Sequence, residues 1–210
     1  MNKKITMICS LIIISILCVI SVIYIKTTSK VALSKNEIED LRKIYPINDN
    51  YSDVVDGREV SFEEYMEYCN SYIKAEIISG PITYVKKLSL NPNTAESIVN
   101  EKAGGLSEAT FVKYEVRIID DIWGNLKQDS IYITYNSVFD IGMPPMEKGS
   151  KFIIGGAYNR KTGMLGVNGD IMFYITEDDY ILSVKTEKSK SKYSGYKADD
   201  FVDYIKKMKK

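Results

Sequence analysis

The sequence contains no histidine and only three cysteines among its 210 residues. Histidine is the commonest general base, the usual partner of serine and cysteine nucleophiles, and the commonest zinc ligand. Its absence excludes the most frequent hydrolase and zinc-site arrangements and leaves carboxylates as the remaining acid–base candidates. We therefore predict no metal ion and no other cofactor.

The cysteines are too few and too far apart to form a disulfide framework. Cys9 and Cys18 would lie about 180° apart around a single helix, so they cannot pair within it. Cys69 is alone in the rest of the chain, so no internal disulfide is possible there. It follows Phe62, Tyr65 and Met66 at helical spacing, which favours a buried structural thiol over a reactive or intermolecular one.

One long apolar run stands at the amino end, from Ile5 to Ile25, with no charged residue between Lys4 and Lys26. As a helix these residues would extend about 32 Å, close to the hydrocarbon thickness of a bilayer. Residues 5–25 are therefore predicted to form a transmembrane helix. The alternative is a cleaved signal peptide followed by secretion. The run is longer than a usual signal core, and no clear small-residue cleavage pattern follows it.

Charge suggests an orientation for this helix. The four-residue head (1–4), with Lys3, Lys4 and the terminal amine, is the easier side to leave in the cytoplasm. The C-terminal part is then extracytoplasmic, in a single-pass protein of the cell membrane. After Lys26 there are 25 basic and 28 acidic residues, a net charge of −3, which gives no basic surface for nucleic acid.

The segment 26–70 is predicted to be a linker with short helices. Ser34 with Glu37, and Ser61 with Glu64, have the spacing of capping boxes at helix starts. Further along the chain, Thr94 is predicted to cap a helix that ends near Lys102. Residues 185–210 are predicted to be a basic loop followed by a terminal helix capped near Asp199.

Residues 71–184 are predicted to be mainly β. Tyr72 to Val85 is rich in β-branched and aromatic residues, and Gly80-Pro81 marks a bend within it. Phe111 to Ile119 alternates, and Val112, Tyr114, Val116 and Ile118 form the better core face. Asn168-Gly169 is the pair that suits a type I′ hairpin turn. Five to seven short strands without βαβ alternation indicate a small antiparallel barrel or sandwich in an α+β fold. The order of a long bent first strand, a helical excursion, a β-meander and a closing helix favours the barrel with flanking helices.

The strand patterns resemble those of netrin/TIMP-like OB domains of uncharacterised bacterial membrane-anchored envelope proteins. The resemblance rests on residues 73–80, 113–119 and 147–154. It implies an OB-like barrel over 71–184. The chain lacks the paired cysteines of secreted inhibitors of that type, so no protease-inhibiting residue is carried over.

Two groups of residues are candidates for chemistry or binding. Asp120-Asp121 and Glu177-Asp178-Asp179 could supply an acid–base pair, but both lie in predicted turns, where aspartate bonds locally. Tyrosine is frequent, and an aromatic face on a barrel could stack on glycan rings or grip a peptide. The predicted ligand-binding residues are Trp123, Tyr132, Tyr135 and Tyr158. For Trp123, at a hairpin tip, packing against the domain is an equal alternative.

The sequence thus favours a membrane-tethered, non-enzymatic binding module of the bacterial cell envelope. Its predicted partners are the membrane, through the N-terminal helix, and an envelope protein, peptide or glycan. The alternatives are a hydrolase that uses an Asp/Glu pair, and a secreted protein.

The intact chain is expected in the membrane fraction of the cell, released only by detergent, because residues 5–25 are long and apolar enough to span a bilayer. Fractionation with mass measurement of the mature chain tests this. Recovery of the full-length chain from the cytosol without detergent would contradict it.

Overall fold

The computed structural model describes residues 32–49, 60–87, 94–102, 104–105, 107–137, 142–186 and 188–209. The predicted cytoplasmic head (1–4) and transmembrane helix (5–25) lie outside these ranges. None of the helices within the ranges is long and apolar enough to cross a membrane. Residues from Ala32 to Lys210 belong to one compact unit.

The described part of the chain is mainly β with several helices, which confirms the predicted α+β class. The helices are α1 Lys35–Leu41, α2 Phe62–Tyr68, α3 Ala95–Lys102, α4 Lys188–Ser191 and α5 Ala198–Met208. The strands are β1 Ser71–Lys87, β2 Glu108–Asp121, β3 Ser130–Asn136, β4 Lys151–Asn159, β5 Met164–Gly166, β6 Met172–Ile175 and β7 Ile181–Ser183.

Local sequence signals account for most helix starts. Both predicted capping boxes are confirmed, with Ser34 and Glu37 at α1 and Ser61 and Glu64 at α2. The hydroxyl of Thr94 accepts a hydrogen bond from the Ser97 amide at 3.2 Å, as predicted for α3. The predicted cap of α5 is wrong: Lys197 is the N-cap residue, without a side-chain bond, and Asp199 lies in the first turn. There its charge still faces the positive end of the helix dipole. The predicted basic loop also contains the short helix α4.

The sheet has the order β1-β2-β3-β5-β4-β6-β7, with an additional pairing between β1 and β4. The pairing of β3 with β5 is parallel, while the others are antiparallel. The predicted purely antiparallel arrangement is therefore wrong, and the sheet is mixed. Strand β5 follows β4 in the chain, through the turn at Gly163, and in the sheet it lies between β4 and β3. It is antiparallel to β4, its hairpin neighbour, and parallel to β3.

The bend predicted within β1 is confirmed. The register of β1 against β2 shifts between Ile77 and Ser79 and again between Ser79 and Ile82. Gly80 has φ +124°, and a Cβ there would stand 2.7 Å from the Tyr114 ring. Only glycine tolerates both the backbone angle and the close approach, so this position fixes where the strand bends.

The turn predicted at Asn168-Gly169 is wrong. Asn168 is instead the N-cap of a short 3₁₀ helix, Gly169–Ile171, and its side chain accepts a hydrogen bond from the Asp170 amide. Gly169 is not among the glycines with positive φ. A Cβ on Gly169 would collide with the carbonyl oxygen of Gly142, so the glycine is needed for close backbone packing.

The buried side chains form two core clusters on opposite faces of the sheet. Strands β4 and β6 contribute to both, because Phe152 and Tyr174 lie in the first cluster while Ile153 and Phe173 lie in the second. The predicted core face of β2 is confirmed, since Tyr114 and Val116 are buried in the first cluster and Val112 and Ile118 pack against it. The second cluster joins the sheet to α2 and α5 through these residues: Phe62, Met66, Phe173, Phe201, Val202 and Ile205.

Phe62 is the centre of the second core cluster. It is fully buried, and its ring contacts those of Tyr72, Phe173, Tyr193 and Phe201 at centroid distances of 5.3–6.4 Å. This contact set ties α2 to β1, β6 and the C-terminal segment.

Phe62→Ala is expected to lower the free energy of unfolding by about 3–5 kcal/mol, because it leaves a cavity among aromatic rings. Tyr68→Ala, on the same helix but 78% exposed, is the matched control and should change it by less than about 0.5 kcal/mol. Chemical denaturation followed by Trp123 fluorescence measures both. Equal losses for the two variants would show that α2 is not anchored through Phe62.

Candidate functional site

The β1, β2 and β3 strands present one continuous face on the side opposite to the first core cluster. On β2 this side carries Phe111, Lys113 and Glu115, which alternate with the core residues. The register places Tyr84 beside Phe111, Lys113 beside Thr134, and Glu115 beside Tyr132. We call this surface the outer face, and its central residues are Tyr84, Lys86, Phe111, Lys113, Tyr132 and Thr134.

The rings and lysines of the outer face hold one another in place. Tyr84 and Phe111 are stacked with centroids 5.6 Å apart, and the Tyr84 hydroxyl lies 2.9 Å from Thr134 Oγ1. Lys113 Nζ lies 4.4 Å from the centre of the Tyr132 ring and 5.7 Å from that of Tyr84. Lys86 Nζ lies 5.7 Å from the Phe111 centre. Each exposed contact of this kind contributes about 0.5–1 kcal/mol, so the set favours one arrangement.

This arrangement can bind a ligand that has both flat apolar surfaces and negative charge. The three rings are half-buried, so part of each remains accessible, and Lys86 is exposed. Cationic groups beside aromatic rings suit a ligand whose acidic groups alternate with ring surfaces.

The four predicted ligand-binding residues do not share this face. Tyr132 lies on it, under Lys113. Tyr135 and Tyr158 are half-buried and pack against the first core cluster on the other side of the sheet. There Tyr135 bonds to Tyr114, and the Tyr158 hydroxyl donates to Gln128 at 3.4 Å. Tyr84, Phe111 and Lys113 were not selected from sequence, although the alternation of β2 already places Phe111 and Lys113 opposite the core face.

Trp123 packs against the domain, as one of its two predicted alternatives requires. It is 8% exposed and belongs to the second core cluster, with its ring 5.0 Å from that of Tyr72. Its indole N–H donates a hydrogen bond to the carbonyl of Ile205 at 3.4 Å, and the Lys209 side chain donates one to the backbone carbonyl of Trp123. Trp123 therefore fastens the β2–β3 connection to α5.

A groove of about 670 Å³ lies between α2, the two residues that join it to β1, the β2–β3 connection and the end of α5. Its lining residues are Glu63, Met66, Glu67, Cys69, Asn70, Trp123, Asn125, Met208 and Lys209. On one wall, Glu63 Oε1 accepts hydrogen bonds from the Tyr193 hydroxyl at 2.7 Å and from Lys192 at 3.0 Å. Burial raises the pKa of Glu63, but these two donors outweigh it and hold the pKa below its ordinary value.

Three of the five carboxylates considered for catalysis, those of Asp120, Asp121 and Asp179, have structural partners. Asp121 accepts hydrogen bonds from the amides of Gly124 and Leu126 at 3.0 and 2.6 Å, which closes the β2–β3 turn. Asp120 pairs with Lys206 at 3.2 Å, and Asp179 with Lys74 at 3.8 Å. Within the described ranges, no group of three or more cysteine, aspartate or glutamate side chains is placed to hold a metal ion.

The lysines of the C-terminal segment bond mainly within the chain. Lys190 is 2% exposed and pairs with Asp170 at 2.8 Å, and Asp170 also accepts from the Tyr65 hydroxyl at 2.9 Å. Lys192 pairs with Glu63, and Lys206 with Asp120. These contacts bind the C-terminal residues to α2 and to β2.

Cys69 is half-buried at the edge of the groove, and burial raises the pKa of its thiol to about 12. Because the thiolate is the reactive form, we expect alkylation of Cys69 by iodoacetamide at pH 8 to be at least about a hundredfold slower than in the urea-unfolded chain. Peptide mapping by mass spectrometry separates Cys69 from Cys9 and Cys18. A cysteine introduced by Tyr68→Cys at the exposed neighbouring position is the control and should react at the ordinary rate. Equal rates at 68 and 69 would contradict the structural role.

Comparison with known proteins adds no relative: the chain matches no protein-family model and no curated protein sequence.

Proposed function

We propose that this chain is a non-catalytic binding module of the bacterial cell envelope that binds an acidic glycan on the outer face. The single observation that carries the proposal is the set of three half-buried rings with Lys113 between two of them and Lys86 beside the third. Rings alone would suit a neutral sugar, whereas the two lysines add a preference for negative charge.

An OB-like barrel, of the netrin/TIMP-like kind that the strand patterns resemble, is part of the proposal. Its support is the pairing order β1-β2-β3-β5-β4, in which β4 also pairs with β1 over Ser71–Glu76. OB folds are partly open five-stranded barrels, and they bind oligosaccharides and oligonucleotides on the face of strands 2 and 3. The outer face occupies this position. Oligonucleotides are not proposed, because the module is proposed to lie in the extracytoplasmic space.

The location is proposed from the sequence. The apolar run 5–25 would tether the module to the cell membrane and leave the outer face in the extracytoplasmic space. An extracytoplasmic module meets acidic polymers of the envelope, which fits the ligand chemistry of the outer face.

The rival hydrolase has less support. The Asp121 carboxylate accepts hydrogen bonds from two backbone amides of its own turn, and Asp120 forms an ion pair with Lys206. A carboxylate that holds a turn in this way is already oriented toward its own backbone rather than toward a substrate.

The full chain in detergent micelles is expected to bind alginate, a polymer of uronic acids, more tightly than the neutral polymer dextran. Tyr132→Ala and Lys113→Gln should each weaken alginate binding at least about fivefold, because the first removes a ring that would stack on a sugar and the second removes a positive charge that would face its carboxylates, each contact being worth about 1 kcal/mol. Affinity electrophoresis with either polymer in the gel measures this, and added salt should weaken binding.

Tyr68→Ala, on α2 and not among the outer-face residues, is the control and should leave binding unchanged. Equal retardation by alginate and dextran, or full alginate binding by Tyr132→Ala, would remove the outer face as the glycan site.

A further inference from the structure

The second half of β1 has one backbone edge without a partner strand in the described part of the chain. On one side β1 pairs with β2 as far as Lys87. On the other side it pairs with β4 only over Ser71–Glu76, and two further hydrogen bonds join Ile77 to Ser150 and Gly149. From Ser79 to Lys87, no residue in the described part of the chain pairs with the backbone of β1 on this second side.

An unpaired strand edge is a template for another extended chain, because its N–H and C=O groups point outward at regular spacing. Pro81 lies within this edge, where a missing N–H is tolerated. From Ile82 to Lys87 the register against β2 runs without a shift and contains no further proline. We call these six residues, Ile82–Lys87, the open edge.

The side chains of the open edge are suited to a covering strand. Ile82 and Val85 are 41% and 62% exposed and, at odd spacing, lie on opposite faces of the strand. An added strand would place alternate apolar side chains beside each of them.

Charge indicates which chain fits. The edge ends in Lys86 and Lys87, both exposed, and the neighbouring residues of β2 add Lys113 and a single acid, Glu108. A second copy of this chain would bring its own lysines to the same place, and exposed edge lysines oppose such self-pairing. An acidic strand would be attracted instead.

We propose that the open edge binds an extended acidic peptide segment of a partner protein by strand addition. The peptide backbone pairs with β1 from Ile82 to Lys87, its apolar side chains contact Ile82 and Val85, and its carboxylates lie opposite Lys86 and Lys87. Backbone pairing supplies affinity in this mode and the side-chain positions supply specificity. This peptide site shares Tyr84 and Lys86 with the proposed glycan site but does not include Tyr132.

The test uses the full chain in detergent micelles and a short fluorescent peptide of alternating valine and threonine with glutamates at both ends. We expect it to bind, and to slow hydrogen exchange of the amides in Ile82–Lys87. The same peptide with lysines in place of glutamates, or with alternate backbone nitrogens methylated, should bind at least about tenfold more weakly.

On the protein side, Lys86→Glu combined with Lys87→Glu should weaken binding of the glutamate peptide at least about tenfold. Lys161→Glu, in the exposed β4–β5 turn, should leave binding of the glutamate peptide unchanged. Tyr132→Ala should also leave it unchanged, and this variant distinguishes the peptide site from the glycan site. The proposal would be overturned if the peptide protected amides outside 79–87, or if the lysine peptide bound as tightly as the glutamate peptide. It would also be overturned if protection rose with protein concentration in the absence of peptide, which would assign the edge to a second copy of the chain.

Discussion

Backbone pairing along β1 is the constraint on which the rest of the structure depends. Over Ile73–Glu76 this strand is bonded on both sides, to β2 and to β4, and its buried side chains enter both core clusters. Beyond the bend at Gly80 it pairs, within the described residues, with β2 alone, and β2 pairs in turn with β3. The first half therefore belongs to the core, while the second half supplies Tyr84 and Lys86 to the outer face and carries the open edge.

The second core cluster explains why the helices are part of the same compact unit. Phe62 on α2 and Phe201 on α5 meet Phe173 from the sheet, with centroid distances of 4.6–5.7 Å among them. The buried pair of Lys190 with Asp170 lies next to Tyr65, so polar contacts continue the same attachment. A buried ion pair adds little net stability, but removing one of its partners leaves an uncompensated buried charge and is strongly destabilising. The helices α2 and α5 thus attach at the start of β1, at β4 and at β6, on the same side of the sheet as the outer face but at other positions.

Local features were predictable because they depend on residues close in the chain. Ser61 and Glu64 cap α2 through bonds three residues apart, and the alternation of β2 assigns Tyr114 and Val116 to the core. Interactions across the chain were not predictable in this way. Asn168-Gly169 has the composition of a hairpin turn, yet Gly169 is selected by its contact with Gly142. Trp123 at a hairpin tip is buried because α5, more than 70 residues later in the sequence, brings the Ile205 carbonyl within reach.

By itself the sequence determined the α+β class, the positions of β1 and β2, the caps of α1, α2 and α3, and the core face of β2, since hydrophobic period and capping residues act locally. Only the tertiary structure decided which tyrosines share a surface. Tyr132 and Tyr135 are three residues apart on one strand, so they lie on opposite faces, and the Tyr132 ring gains neighbours only when β1 and β2 pair beside it. The partners of a strand residue come from other strands, and strand order cannot be read from the spacing of residues within one segment.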